Sequence, residues 1–256
     1  MYCKIIVSGH ITEITKYEKL NVTGGGARER TGENSQHNYL RTQKRRRDSI
    51  RQLICTNFDK ANSKFVTLTY GNRMQFDIKD VKACNAYFKN FVLRVKRRFP
   101  DFKYLAVIEF QDKNDRGAVH YHMVCNLPFV KKSELAQLWG AGFVKINRID
   151  KVDNVGAYVV KYMNKDIDDK RLCGLKAYNC SKGLDKPVEL CSWRQEDTEA
   201  YEVTRQLVES KSPSYAATYE SEYAGRIEYY QFNDARAKGG SSADNKPKRK
   251  TKNCQA

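Results

Sequence analysis

Residues 64–165 alternate between the hydrophobic spacing of strands and that of helices, and this constrains the fold more than any other feature. Four segments have strand composition or two-residue alternation: 64–70, 103–111, 118–127 and 143–149. Three have helical spacing or helix-boundary residues: 78–99, 133–139 and 154–165. The order β-α-β-β-α-β-α predicts an α+β fold, a ferredoxin-like or RRM-like antiparallel sheet with helices on one face.

Boundary residues predict where these helices begin and end. Asp77 or Asp80 would cap the first helix, Ser133 the second and Asp153 the third. Gly140 would close the second helix. Beyond the third helix, the pattern predicts a helix over 196–208 and a hairpin over 215–230 that turns at residues 224–225.

Positive charge is concentrated in two segments of a chain with a formal net charge of +17. Residues 28–51 hold eight Lys and Arg against three acids, and residues 235–256 hold seven against one. We predict a strand and basic helix extension over 1–60, the α+β domain over 61–190, a helix and hairpin packing on that domain over 191–232, and a disordered basic tail over 233–256.

Composition narrows the class of protein. A hydrophobic fraction of 40% is enough for a core and excludes wholesale disorder. No apolar run has the length of a membrane span, the start does not resemble a secretory signal, and the eight cysteines include no CxxC pair. These features predict reduced thiols in a cytosol-like compartment, and the charge favours nucleic acid as partner. The sequence contains no phosphate-binding loop, which argues against an ATP-driven motor.

His120 and His122 lie two residues apart in the third predicted strand, so their imidazoles point to the same face. The preceding strand carries Glu109 and Gln111, and antiparallel pairing can bring one of them opposite the histidines. Two imidazoles and a carboxylate form a metal-ligand set. From the residues alone, a solvated polar face or two hydrogen-bonded core-edge histidines fits the spacing as well.

Two overlapping Tyr-x-x-Lys units occupy residues 158–165. Tyr158 and Tyr162 share one face of the predicted helix, and Lys161 and Lys165 share an adjacent face. Core aromatics with solvated lysines would give the same pattern. Tyrosine is a poor nucleophile because its ordinary pKa is about 10, but a cation that stabilises phenolate or a metal that polarises the electrophile makes it effective. The histidine motif and the tyrosine motif therefore complement each other.

Three segments resemble, in order and spacing, motifs I, II and III of the HUH endonucleases, specifically the rolling-circle replication initiators of small phages, plasmids and single-stranded DNA viruses. They are Phe-Val-Thr-Leu-Thr at 65–69, Glu-Phe-Gln at 109–111 with Arg-Gly-Ala-Val-His-Tyr-His at 116–122, and Tyr-Val-Val-Lys-Tyr-Met-Asn-Lys at 158–165. The doubled tyrosine motif is most similar to the filamentous-phage and microvirus-like branch. The resemblance covers residues 62–190 and implies the HUH endonuclease fold there.

The resemblance implies a nicking and closing reaction on single-stranded origin DNA. Glu109, His120 and His122 would hold one divalent ion, Mg²⁺ or Mn²⁺, and a tyrosine would attack the scissile phosphate to leave a 5′-phosphotyrosine and a 3′-OH primer. Tyr158 is the expected first nucleophile and Tyr162 the second. Their charge-stabilising partners would be Lys161 and Lys165. Host helicase and polymerase are the implied partners, and the cytoplasm of a bacterial host is the implied location.

Smaller roles and alternatives remain open at the level of sequence. Gln111 is a weaker metal ligand than Glu109, and Thr67 and Thr69 are expected to shape the sheet beside the site. The donor set also suits Zn²⁺, because Mg²⁺ prefers oxygen ligands. A non-catalytic RRM-like module that binds single-stranded nucleic acid is the alternative function. Relaxases usually use a third histidine, which is absent here, and the related transposases usually have one tyrosine.

Overall fold

The computed structural model describes residues 2–19, 32–58, 63–149, 154–163, 169–172, 174–176, 178–192, 202, 206, 209–221 and 224–237. The chain divides into two compact units, a central unit of residues 36–185 and a flanking unit of residues 1–35 and 186–256. The four-segment division predicted from the sequence stays a prediction. Most of the predicted helix over 196–208 and the tail beyond residue 237 lie outside the described residues.

Ten strands and five helices are found in the described residues. The strands are β1 (Tyr2–Ser8), β2 (Ile11–Tyr17), β3 (Lys64–Tyr70), β4 (Tyr104–Gln111), β5 (Ala118–Cys125), β6 (Gly142–Arg148), β7 (Tyr178–Cys180), β8 (Val188–Ser192), β9 (Tyr215–Ser221) and β10 (Gly225–Asn233). The helices are α1 (Gly32–Asn57), α2 (Val81–Arg98), α3 (Lys132–Trp139), α4 (Val155–Met163) and the single turn α5 (Asp234–Ala237).

The flanking unit contains a five-stranded antiparallel sheet in the order β8-β1-β2-β10-β9. Cys3, Ile5, Ile14 and Phe232 are buried together on one of its faces. Strands β9 and β10 form the hairpin predicted over 215–230, and that prediction is confirmed. Gly225 at its turn has a φ of +64°, a conformation that favours glycine.

The central unit contains a second antiparallel sheet, in the order β6-β3-β5-β4-β7. The elements from β3 to α4 follow the predicted β-α-β-β-α-β-α order, and the α+β class is confirmed. Helix α2 packs a stripe of six buried residues against one face of this sheet: Val81, Cys84, Phe88, Phe91, Val92 and Val95. Its cap is Asp80, whose side chain accepts a hydrogen bond of 2.8 Å from the Lys82 amide.

Helix α3 covers the same face through Leu135 and Trp139. The prediction that Ser133 caps it is wrong, because the helix already begins at Lys132 and the extended residue before it is Lys131. Its predicted end is confirmed, since Gly140 has a φ of +66° and donates its amide hydrogen to the Ala136 carbonyl.

The opposite face of the central sheet changes character along its strands. At one end it is apolar, and helices α1 and α4 cover it, so helices occupy this face in addition to the one that the sequence predicted. This apolar cluster comprises Phe65, Leu105, Val107 and Val124 from the sheet, Ile50, Ile54 and Phe58 from α1 and the residue after it, Ile149, and Val155 and Val159 from α4. At the other end the same face carries threonine, glutamate, glutamine and histidine side chains. The polar end is therefore where chemistry can take place.

Candidate active site

Strand pairing brings the predicted metal ligands together. His120 on β5 lies opposite Glu109 on β4, and His122 follows two residues later on the same face. The two imidazole centroids are 4.8 Å apart, and His122 Nε2 lies 2.5 Å from Glu109 Oε2. Ligand atoms of all three residues lie within 4.8 Å of one another. In the described part of the chain, no other group of three His, Cys, Asp or Glu side chains has this geometry.

Strand β3 holds the two imidazoles from the other side. Thr69 Oγ1 lies 2.8 Å from His120 Nε2, and Thr67 Oγ1 lies 3.4 Å from His122 Nδ1. The Phe65 ring stacks on His122 with centroids 5.6 Å apart and an interplanar angle of 11°. Sequence analysis assigned the threonines only to the shape of the sheet, because their pairing with the histidines depends on a register between distant segments.

Burial also sets the charge of the site. His120 is 9% exposed, and desolvation, followed by the nearby His122, lowers its pKa to about 4. His120 is therefore neutral at pH 7, and neutral imidazole is the form that binds a metal. Two imidazole nitrogens and one carboxylate oxygen fit a divalent cation with borderline preferences, such as Mn²⁺. Glu109, His120 and His122 thus form a possible metal-binding group.

Tyr158 lines the same cavity as the two histidines, which has a volume of about 530 Å³. The start of α4 positions this residue, because Asn154 Oδ1 accepts a hydrogen bond of 2.8 Å from the Ala157 amide. The Tyr158 ring packs edge-on against Phe65 at 5.2 Å. Asp153, the predicted cap of this helix, lies outside the described residues.

The other predicted residues of the tyrosine motif are placed less fully. Lys161 is exposed in the last turn of α4. Tyr162 belongs to α4, but its side chain is outside the described part of the structure, as is all of Lys165. The roles of these three residues stay predictions.

Gln111 and Arg116 form a polar border to the cavity. Gln111 lines the cavity, and its side-chain oxygen accepts a hydrogen bond of 2.7 Å from Arg116 Nη1. Arg116 also donates to the carbonyl oxygen of Tyr70. The Gln111 oxygen is therefore engaged with a guanidinium and is not part of the possible metal-binding group.

Strand β6 contributes three lining residues that sequence analysis did not select: Phe143, Lys145 and Asn147. They lie opposite Thr69, Thr67 and Phe65 respectively, so they share the face that carries the histidines. The alternation of β6 is visible in the sequence. Its position next to β3 is not, because that pairing joins residues far apart in the chain.

Comparison with known proteins agrees with this site. Residues 63–167, less than half of the chain, match a family model for replication-associated proteins of the ORF2 type. This match supports the role of a replication initiator. The matched region contains β3, the histidine strand and the tyrosine helix, and it makes DNA the expected partner. Comparisons with curated proteins and with solved structures gave no match. Among the described helices, none has the length and apolar character needed to cross a membrane.

Proposed function

We propose that the central unit is an HUH-type endonuclease that initiates rolling-circle replication by nicking and rejoining single-stranded origin DNA. The observation that carries this proposal is the opening of Tyr158 and the His120–His122 pair into one cavity. A module that only binds nucleic acid has no need of a carboxylate held 2.5 Å from a buried imidazole. The family match over residues 63–167 supports the same assignment.

Glu109, His120 and His122 are the residues that would hold a divalent cation, Mg²⁺ or Mn²⁺. When bound, such an ion supplies Lewis-acid polarisation of a phosphodiester. The protein's own contribution is orientation. Thr67 and Thr69 fix the imidazole rings, and burial keeps His120 neutral at pH 7.

Tyr158 is the proposed nucleophile. Its phenolic oxygen loses its proton and forms a bond to phosphorus, the bond from phosphorus to the 3′-oxygen breaks, and that oxygen takes up a proton. The products are a 5′-phosphotyrosine and a free 3′-OH that primes synthesis. Attack by a 3′-OH on the phosphotyrosine reverses the step without ATP, because the number and type of phosphoester bonds are conserved.

Tyr162 is the proposed second nucleophile, which would allow alternating attack, and Lys161 and Lys165 are the proposed partners for developing negative charge. Lys161 lies three residues after Tyr158 in α4, about one turn along the helix. A host helicase and polymerase, and the cytoplasm of a bacterium that carries the phage or plasmid, complete the proposal.

The proposal is tested by trapping the covalent intermediate. The full chain is incubated with Mn²⁺ and a random-sequence pool of single-stranded oligonucleotides labelled at the 3′ end, because the phosphotyrosine retains the 3′ fragment. We expect a labelled band that survives SDS, disappears with chelator and is absent from the Tyr158→Phe/Tyr162→Phe double variant. Tyr178→Phe, a change in the same apolar cluster, should keep the band.

A second variant separates chemistry from binding. His120→Ala should abolish the adduct and retain most non-specific DNA affinity, since that affinity comes from dispersed Lys and Arg residues. An adduct that persists in the double tyrosine variant would show that the nucleophile is wrongly assigned.

A further inference from the structure

Phe143 is an exposed aromatic residue at the edge of the candidate site. It lies on the edge strand β6 with 55% of its surface exposed, and it lines the cavity that contains the histidines. Its neighbours across the sheet are Thr69, then His120, then Glu109. Phe143 is in none of the apolar clusters formed by the described residues, so core packing does not account for it.

Two lysines accompany this ring. Lys132 Nζ lies 4.5 Å from the ring centroid, in the geometry of a cation–π contact. Lys145 follows two residues after Phe143 on the same face, is exposed, and also lines the cavity. An exposed aromatic side chain flanked by cations is the arrangement that binds single-stranded nucleic acid, because the ring stacks on a base while the cations attract phosphates.

We infer that Phe143 is a base-stacking platform that positions the bound DNA strand, with Lys132 and Lys145 holding its phosphates. This inference rests on the proposed function, since it takes single-stranded DNA as the substrate of the same cavity. Two strand spacings, about 10 Å, separate β6 from β5, so the stacked base belongs to a nucleotide close to the scissile phosphate. The Lys132 ammonium covers one face of the ring, and the base stacks on the other.

The test compares DNA with and without bases. Binding of the full chain is measured by fluorescence anisotropy with chelator present, using labelled oligo(dT) of about ten nucleotides and the same backbone built from abasic residues. Phe143→Ala should weaken oligo(dT) binding roughly 5- to 100-fold and leave abasic binding unchanged, since stacking requires the base. Phe143→Trp should keep the affinity for oligo(dT).

A matched control is available in the same unit. Phe129 is 88% exposed and does not line the cavity, so Phe129→Ala should bind both probes as the wild type does. Phe143→Leu keeps an apolar side chain without an aromatic face and should behave like Phe143→Ala. Lys145→Gln should weaken binding of both probes, because phosphates are present in each.

Two results would overturn the inference: Phe143→Ala that binds oligo(dT) normally, or Phe143→Ala that loses affinity equally for both probes. Failure of the proposed function is recognised separately. If the wild type forms no covalent adduct with Mn²⁺ while the base-dependent loss is observed, the platform stands and the nicking activity does not. If the adduct forms and Phe143→Ala binds normally, only the platform fails.

Discussion

At the scale of single residues, the geometry around His120 links folding to the chemistry of the site. Thr69 contacts one ring nitrogen, His122 lies alongside, and Glu109 lies directly across the strand pair. The buried ring stays uncharged at neutral pH because its protonated form would be poorly solvated. A site prepared for a cation in this way carries a cost when the pH falls.

We therefore predict an acid-dependent loss of stability that originates at His120. Its pKa of about 4 lies below the usual value of about 6.5, so the unfolded state binds the proton more readily. Stability is complete above pH 6.5 and declines as the pH falls through 4. At pH 4.5 the loss from this residue should be roughly 2 to 3 kcal/mol.

Urea denaturation with chelator present, at pH 7 and pH 4.5, measures this effect. His120→Asn should lose less stability than the wild type over that interval, because asparagine does not titrate there. Equal losses in the two proteins would contradict the prediction.

Glu109→Gln is expected to remove the response to metal while keeping the fold, because it replaces an anionic ligand with a neutral side chain of the same shape. With Mn²⁺ at 100 times its Kd, the wild type should gain about 2.7 kcal/mol. That corresponds to an increase of roughly 5–10 °C in the melting temperature of a chain of this size. Thermal denaturation with and without Mn²⁺ measures it.

Glu134→Gln is the matched control for this experiment, since Glu134 is a surface residue of α3 that pairs with Arg98 at 3.4 Å. It should keep the full response to Mn²⁺. An undiminished response in Glu109→Gln would exclude Glu109 as a ligand.

At the scale of elements, local patterns predicted more than pairings did. The stripe of α2 is visible in the sequence because helical spacing is a property of neighbouring residues, and all six of its core positions are buried. The placement of Glu109 beside His120 was accessible too, because a short hairpin joins their strands. The contacts of Thr69 with His120 and of Phe143 with the cavity were not, since β3 and β6 pair with strands distant in sequence.

The contact of α4 with α1 determines where Tyr158 lies, and Gly156 makes it possible. A Cβ at Gly156 would lie 2.4 Å from the Arg51 carbonyl oxygen and 2.8 Å from Cys55 Sγ. Gly156→Ala should therefore displace α4 and reduce adduct formation by at least about tenfold, even though alanine favours a helix by about 1 kcal/mol. The yield of the SDS-stable adduct measures this.

Gly71→Ala serves as the comparison, because a Cβ there meets its nearest atom at 3.6 Å. It should form the adduct normally. Normal adduct formation by Gly156→Ala would show that the two helices tolerate separation or that α4 does not position the nucleophile.

At the scale of the whole molecule, the positive charge is concentrated in the unit that contains the candidate site. Residues 36–185 hold 30 Lys and Arg against 15 Asp and Glu, a net charge of +15 of the total +17. The flanking unit is close to neutral by the same count. Long-range attraction of a polyanion should therefore act mainly on the central unit.

This distribution predicts that the central unit alone is sufficient for DNA binding and adduct formation. Its two apolar clusters are formed from its own elements, so a chain of residues 32–185, which retains all of α1, should fold independently. Its affinity for oligo(dT) should fall with salt at nearly the slope of the full chain, since that slope is about 0.7 per neutralised phosphate for single strands. Anisotropy titrations at several salt concentrations measure the slope, and the SDS-stable adduct reports activity. A folded fragment with a much shallower slope would place the DNA contacts in the flanking unit instead, despite its small net charge.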